Sequence, residues 1–213
     1  MEFIGENLQQ YIGQHCSDES DLLKQLNRET QAKILRPRML SGHVQGRALS
    51  MFSKMIQPTN ILEIGTYTGY SALCLLEGLS EKGELHTIDI NEELEDFTNS
   101  YFQKHPKGKQ IKFHIGDAAT IITKLKLQFQ LVFIDADKES YQNYYEMLVP
   151  LLPTGAYIIS DNVLWSGKVL DPIKKGDSET KAIIDFNKHV QNDDRVENLL
   201  LGIRDGLLIA RIK

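Results

Sequence analysis

At 213 residues, with a formal net charge of −5 and a pI near 5.7, the chain is long enough for one α/β domain with a well-buried core. It is too acidic for a polyanion to be held by its overall field. Two cysteines, Cys16 and Cys74, argue against a disulfide scaffold, no apolar run approaches the ~20 residues of a membrane span, and MEFIGENLQQ lacks the features of a signal peptide, so a cytoplasmic protein without membrane association is expected.

Residues 1–58 read as a helical segment, with helices over 1–16, 20–35 and 44–57, the last stopped by Pro58. The pattern then changes to alternation. Strands are expected at 61–64, 84–89, 111–115, 131–135 and 156–161, with helices near 70–79, 92–104, 118–125 and 139–151. Such alternation predicts a parallel sheet with helices on both faces, and the lysine-rich stretch 104–112 reads as a solvated connection. After a helix near 178–191, apolar runs at 196–203 and 207–212 flank Asp205-Gly206, a dipeptide favoured in tight hairpins, so the sheet is expected to close with an antiparallel pair. No linker or repeat divides the chain. One domain spanning 1–213 is expected, with the helical segment followed by an α/β core over 59–213.

Function is most legible at NILEIGTYTGY, where a strand runs into glycines at Gly65 and Gly69 before a helix begins. Glycine there lets the backbone bend sharply and approach a ligand, and the helix start offers unpaired N–H groups. The spacing lacks the middle glycine that a pyrophosphate needs. Asp89, at the tip of the next strand, is placed to accept from ribose hydroxyls. An adenosine bearing something other than phosphates fits this pattern.

Two later strands end in acids, LVFIDADK at Asp135 and YIISDN at Asp161 with Asn162 attached. If these two strands are neighbours, their tips stand about 4.8 Å apart, and these groups converge at the sheet edge where α/β proteins bind ligands. Three hard oxygen donors select Mg2+ or Ca2+, and no His/Cys grouping has zinc spacing. Lys138 falls over the same place as a candidate base. Trp165, the only tryptophan, lies in a loop after the acid pair, suited to stack against a flat acceptor ring. Tyr141, Tyr144 and Tyr145 share a helical pattern with Leu148 and read as packing, and His43 reads as a solvated loop histidine.

The motifs LEIGTYTGYSAL, HTIDIN, FIDADKESYQNYY, SDNVLWSGKV and RVENLLLGIRDGLLIARIK, in this order, resemble the cation-dependent O-methyltransferases of the caffeoyl-CoA and catechol type. The resemblance spans about 38–213. It implies a class I methyltransferase (Rossmann-like) fold with a seven-stranded sheet, S-adenosylmethionine as methyl donor, a divalent cation with Mg2+ first and Mn2+ or Ca2+ as alternatives, a small aromatic hydroxyl substrate, and a homodimer. It places Asp135, Asp161 and Asn162 on the metal positions and Asp135 with Lys138 on the catalytic ones. Ser41, Glu63, Gly65, Thr66, Ser71, Asp89, Ala118, Asp135 and Asp137 fall on donor-binding positions. Trp165 and Ser166 fall on the substrate-facing loop. Two other readings stay open, a methyltransferase acting on RNA and a catalytically silent adenosine-binding regulator. The acidic composition disfavours the first, and retained carboxylates that are costly to bury unpaired disfavour the second.

Overall fold

The computed structural model describes residues 5–213. Three helices come first, α1 (Glu6–Gln14), α2 (Asp21–Lys33) and α3 (Gly42–Ile56). Ser20 caps α2 by accepting from Leu23 N–H. The expected helix over 1–16 is therefore seen only from Glu6, and Met1 to Ile4, including the apolar Phe3 and Ile4, lie outside the described residues.

The rest alternates: β1 (Asn60–Ile64), α4 (Tyr70–Leu76), β2 (Glu84–Asp89), α5 (Glu95–Lys104), β3 (Ile111–Ile115), α6 (Ala118–Ile122), β4 (Leu131–Ile134), α7 (Tyr141–Leu148), β5 (Tyr157–Asp161), α8 (Ser178–Gln191), β6 (Val196–Leu201) and β7 (Leu207–Ile212). Several expected helices are shorter because their ends tighten into 3-10 turns, at 92–94 before α5 and at 138–140 and 149–151 around α7.

The strands form one seven-stranded sheet in the order β3-β2-β1-β4-β5-β7-β6. β3, β2, β1, β4 and β5 run parallel, whereas β7 is antiparallel to both β5 and β6. This is the class I methyltransferase arrangement that the resemblance implied. The β6–β7 connection is wider than the tight hairpin that Asp205-Gly206 suggested, because β6 ends at Leu201 and 202–206 form the loop. That loop is drawn onto neighbouring segments, as described below.

Both faces of the sheet are covered, so the central strands are buried almost throughout rather than on alternate residues. Leu62, Ile64, Val132, Ile134 and Ile158 pack beneath α6, α7 and α8, where Ile122, Tyr145, Ile183 and Phe186 are buried. Ile61, Leu131, Phe133 and Ile159 face α2 to α5, with Leu26, Leu49, Leu73 and Phe102. The direction in which successive strands are added to the sheet reverses between β1 and β4. A crevice opens there at the strands' carboxyl ends, the place where open α/β sheets bind ligands.

Candidate active site

Gly65 leaves β1 at this reversal with φ 101°, a region that a side chain avoids. A Cβ on Gly65 would stand 1.9 Å from the carbonyl oxygen of Asp135, so the turn after β1 and the tip of β4 touch only because this residue is glycine.

The candidate donor residues line the β1–β2 side. Asp89 Oδ2 accepts from Tyr67 N–H at 2.6 Å and Oδ1 from Asn91 N–H at 2.9 Å, which aims the carboxylate at the glycine turn. Thr66 and Thr87 are buried with their hydroxyls 2.5 Å apart, and Thr87 donates to Glu63 Oε2 at 2.5 Å. Burial pushes Glu63 up to about 8, opposed by hydrogen bonds from Ser71 and Thr87, while Glu63 Oε1 is buried with no protein partner. Such an orphan acceptor is what a bound ligand's N–H or O–H would satisfy. Ser41 lies just before α3, Ser71 in the first turn of α4 and Ala118 at the start of α6, all three buried. Asp137 caps the turn after β4, accepting from Ser140 N–H and from the Tyr144 hydroxyl.

The candidate catalytic groups meet across β4 and β5. The buried Lys138 donates from Nζ to Asp135 Oδ1 at 3.1 Å and to the Tyr141 hydroxyl at 2.6 Å. The Tyr141 O–H is in turn shared between the carbonyls of Asp161 (3.1 Å) and Ile134 (3.3 Å), and burial holds its pKa well above the usual phenol range. Asp161 is buried, and its pKa is pushed upward first by burial and then by the nearby Asp135 charge. Its Oδ2 accepts from Gln45 Nε2 at 2.6 Å and its Oδ1 from Asn162 N–H at 2.7 Å. Two neighbouring carboxylates, with Asn162 next in the chain, could supply hard-oxygen donors of the kind that Mg2+, Ca2+ or Mn2+ take.

Beyond β5 the backbone takes a left-handed course. Asn162, Trp165 and Ser166 have φ of 58°, 48° and 54°, each a conformation costing roughly 1–3 kcal/mol unless surrounding contacts enforce it. The Trp165 ring is partly buried against the α7–α8 core, with Lys138 Nζ 5.9 Å and Lys168 Nζ 5.6 Å from its centroid. Ser166 is exposed. A cavity of about 340 Å3 separates Lys138 from the start of α8.

Three partners were not anticipated. Tyr141 supports Lys138 as well as packing, a role that the three-residue spacing on one helical face could have signalled. Gln45 carried no local signal, since it reaches Asp161 from α3 across 116 positions. His43 stands in the first turn of α3 rather than in a loop, its Nε2 2.8 Å from the Ser17 carbonyl oxygen.

Elsewhere, Glu146, His189 and Asp193 gather beside a larger depression of about 500 Å3, a grouping invisible to sequence spacing because α7, α8 and the segment after α8 supply it jointly. Arg195 already pairs with both carboxylates, Glu146 at 2.8 Å and Asp193 at 2.7 Å, so the cluster is an ion-pair network tying α7 to α8 and the segment after it.

Comparison with known proteins agrees with this fold. A family model described as O-methyltransferase matches residues 13–213. A caffeoyl-CoA O-methyltransferase of Petroselinum crispum is 33% identical, over 91% of this chain and 84% of its own length. Among solved structures, an O-methyltransferase of Bacillus cereus in complex with SAH is 28% identical, with a TM-score of 0.89 and 97% of each chain covered. An SAH-bound methyltransferase of Podospora anserina is 25% identical, also with a TM-score of 0.89, over 98% of this chain and 94% of that one.

Proposed function

The chain belongs to the O-methyltransferase family and is an S-adenosylmethionine-dependent O-methyltransferase; from that premise we propose that it methylates one hydroxyl of a small catechol-type or hydroxycinnamoyl-type aromatic, with the help of a divalent cation. The observation that carries this reading is the convergence of Asp135, Lys138 and Asp161 beside the β1/β4 reversal. The parsley relative's name specifies a caffeoyl thioester, which supports an ortho-dihydroxy ring as acceptor.

In this reading Asp135, Asp161 and Asn162 would hold the cation, and the chemistry it would supply there is Lewis-acid activation of the acceptor hydroxyl. Lys138, steadied by Asp135 and Tyr141, takes up the hydroxyl proton or offsets the charge left on oxygen. The acceptor oxygen bonds to the methyl carbon as the carbon–sulfur bond breaks, and the electron pair stays on sulfur, giving S-adenosylhomocysteine. Glu63, Asp89 and the turn at Gly65 hold the donor, with Asp89 on the ribose. Trp165 and Ser166 flank the acceptor. Alignment of this kind contributes about 7–11 kcal/mol in favourable cases.

The proposal includes a homodimer, supported by Leu8 and Tyr11 of α1, both more than half exposed. Among the described residues no helix is long and apolar enough to cross a membrane. The deciding experiment incubates the protein with labelled donor, Mg2+ and a panel of catechols, hydroxycinnamoyl thioesters and RNA. Methylated catechols support the reading; label in RNA alone, or in nothing, overturns it.

A further inference from the structure

The β6–β7 loop reaches both flanks of the site. On one flank, Asp205 Oδ1 accepts from the backbone N–H of Ser166 at 2.5 Å. The carbonyls of Asp205 and Gly206 accept from the N–H groups of Leu164 (2.8 Å) and Val163 (3.3 Å). On the other, Arg204 Nη1 donates to the carbonyl of Leu40 at 2.9 Å, immediately before Ser41.

The segment that Asp205 grips needs an outside support. Trp165, Ser166 and Gly167 stand consecutively at φ 48°, 54° and 82°, and L-residues leave that region unless something enforces it. An ionised carboxylate accepting from one of these amides is such an enforcement, stronger than a neutral acceptor would supply. Packing adds to it. Gly206, at φ 88°, lies so close to Leu164 that a Cβ would stand 2.5 Å from Leu164 Cγ. Arg204 itself stands at φ 48°. The connection between β6 and β7 is longer than a two-residue hairpin, and its extra residues carry these two sets of bonds.

We propose that Arg204 and Asp205 are positioning residues on one shared anchor. Asp205 sets the acceptor-side loop through the Ser166 amide, and Arg204 sets the donor-side segment through the Leu40 carbonyl. This rests on the reading of Trp165 and Ser166 as acceptor-facing and of Ser41 as donor-facing. Neither side chain touches a reacting atom; each acts through the backbone that it holds.

Trp165 is the only tryptophan, so its fluorescence reports the anchored loop without any substrate. The test compares wild type, Asp205→Ala, Asp205→Asn, Asp205→Glu and Arg204→Met. It measures acrylamide quenching of Trp165, calorimetric affinity for S-adenosylhomocysteine, and KM and kcat for caffeate with Mg2+. Asp205→Ala is expected to raise quenching and to raise the caffeate KM by about 10-fold or more, with S-adenosylhomocysteine affinity within about 2-fold of wild type. Asp205→Asn, which keeps an oxygen acceptor, recovers most of that loss. Asp205→Glu displaces the carboxylate by one methylene, gives intermediate quenching, and serves in place of Asp205→Ala should that variant not fold. Arg204→Met is expected to weaken S-adenosylhomocysteine by roughly 5-fold or more while leaving Trp165 quenching unchanged. The proposal is overturned if Asp205→Ala, or Asp205→Glu in its place, quenches like wild type, if it shifts donor and acceptor binding equally, or if Arg204→Met leaves donor affinity intact. Wild-type protein that binds no S-adenosylhomocysteine overturns the site reading instead, and the quenching comparison still judges the anchor.

Discussion

Gln45 and Asp161, 116 positions apart, meet at 2.6 Å in the interior, the amide of α3 donating to the carboxylate at the tip of β5. Both are buried, so this bond offsets part of the cost of holding a carboxylate away from water. Replacing Gln45 by Leu removes the donor and leaves Asp161 Oδ2 facing apolar atoms. The expected loss is about 1–3 kcal/mol, read from the urea midpoint at pH 7.5. Unfolding at the wild-type midpoint would show that the bond contributes nothing.

Glu63 makes stability depend on pH. Its folded pKa is raised to about 8 from an ordinary 4.5, so between those values the folded state binds the proton more tightly than the unfolded state. Its contribution is then greatest at low pH and is lost as pH rises toward 8, by up to a few kcal/mol. Donor-free protein should accordingly melt at lower temperature at pH 8.5 than at pH 5.5. Glu63→Gln removes the titration, and its melting curve should fall visibly less over the same interval; equal slopes would contradict the account.

Asp161→Ala separates the two halves of the site. S-adenosylhomocysteine affinity by calorimetry should stay within about 2-fold, because Asp161 is not among the donor candidates and the ribose candidate Asp89 ends β2, while Mg2+-dependent turnover is lost. Full activity with chelator present, or wild-type activity in this variant, would remove the cation from the chemistry.

Tyr141→Phe keeps the buried ring and deletes the hydroxyl that accepts from Lys138. A fall in kcat of about 10-fold with little change in donor affinity is expected, whereas Lys138→Ala should cost about 100- to 10000-fold if proton transfer limits the step. Steady-state kinetics of both variants decide it. Equal, small effects would make Lys138 a structural ion-pair partner of Asp135 and nothing more.

Asp89→Ala tests the ribose assignment. A loss of about 1.5–3 kcal/mol in donor affinity is expected if the carboxylate accepts charge-assisted bonds, with NAD binding weakly or not at all in the wild type. Calorimetry with S-adenosylmethionine, S-adenosylhomocysteine and NAD measures both, and tight NAD binding would reverse the reading of the glycine turn.

What the sequence determined by itself were the features set by near neighbours in the chain. Alternation of apolar strands with amphipathic helices, the strand–glycine–helix turn at Gly65, and acids at the strand tips follow from propensity, periodicity and backbone freedom within a few residues. Strand positions were accordingly legible to within a residue or two, and Lys138 could be placed beside Asp135 because three residues separate them. The helix ends and the width of the β6–β7 loop were not, since tertiary bonds settle where a turn tightens or a strand stops. Only the tertiary structure decided that α3 delivers Gln45 to Asp161, that Arg204 and Asp205 hold two flanks of one cleft, and that Arg195 fills the Glu146–His189–Asp193 cluster. Those pairings depend on how the strands order in the sheet and on which helices cross each face, and nothing local to Gln45 or Asp205 specifies a partner that the fold brings to it from elsewhere in the chain.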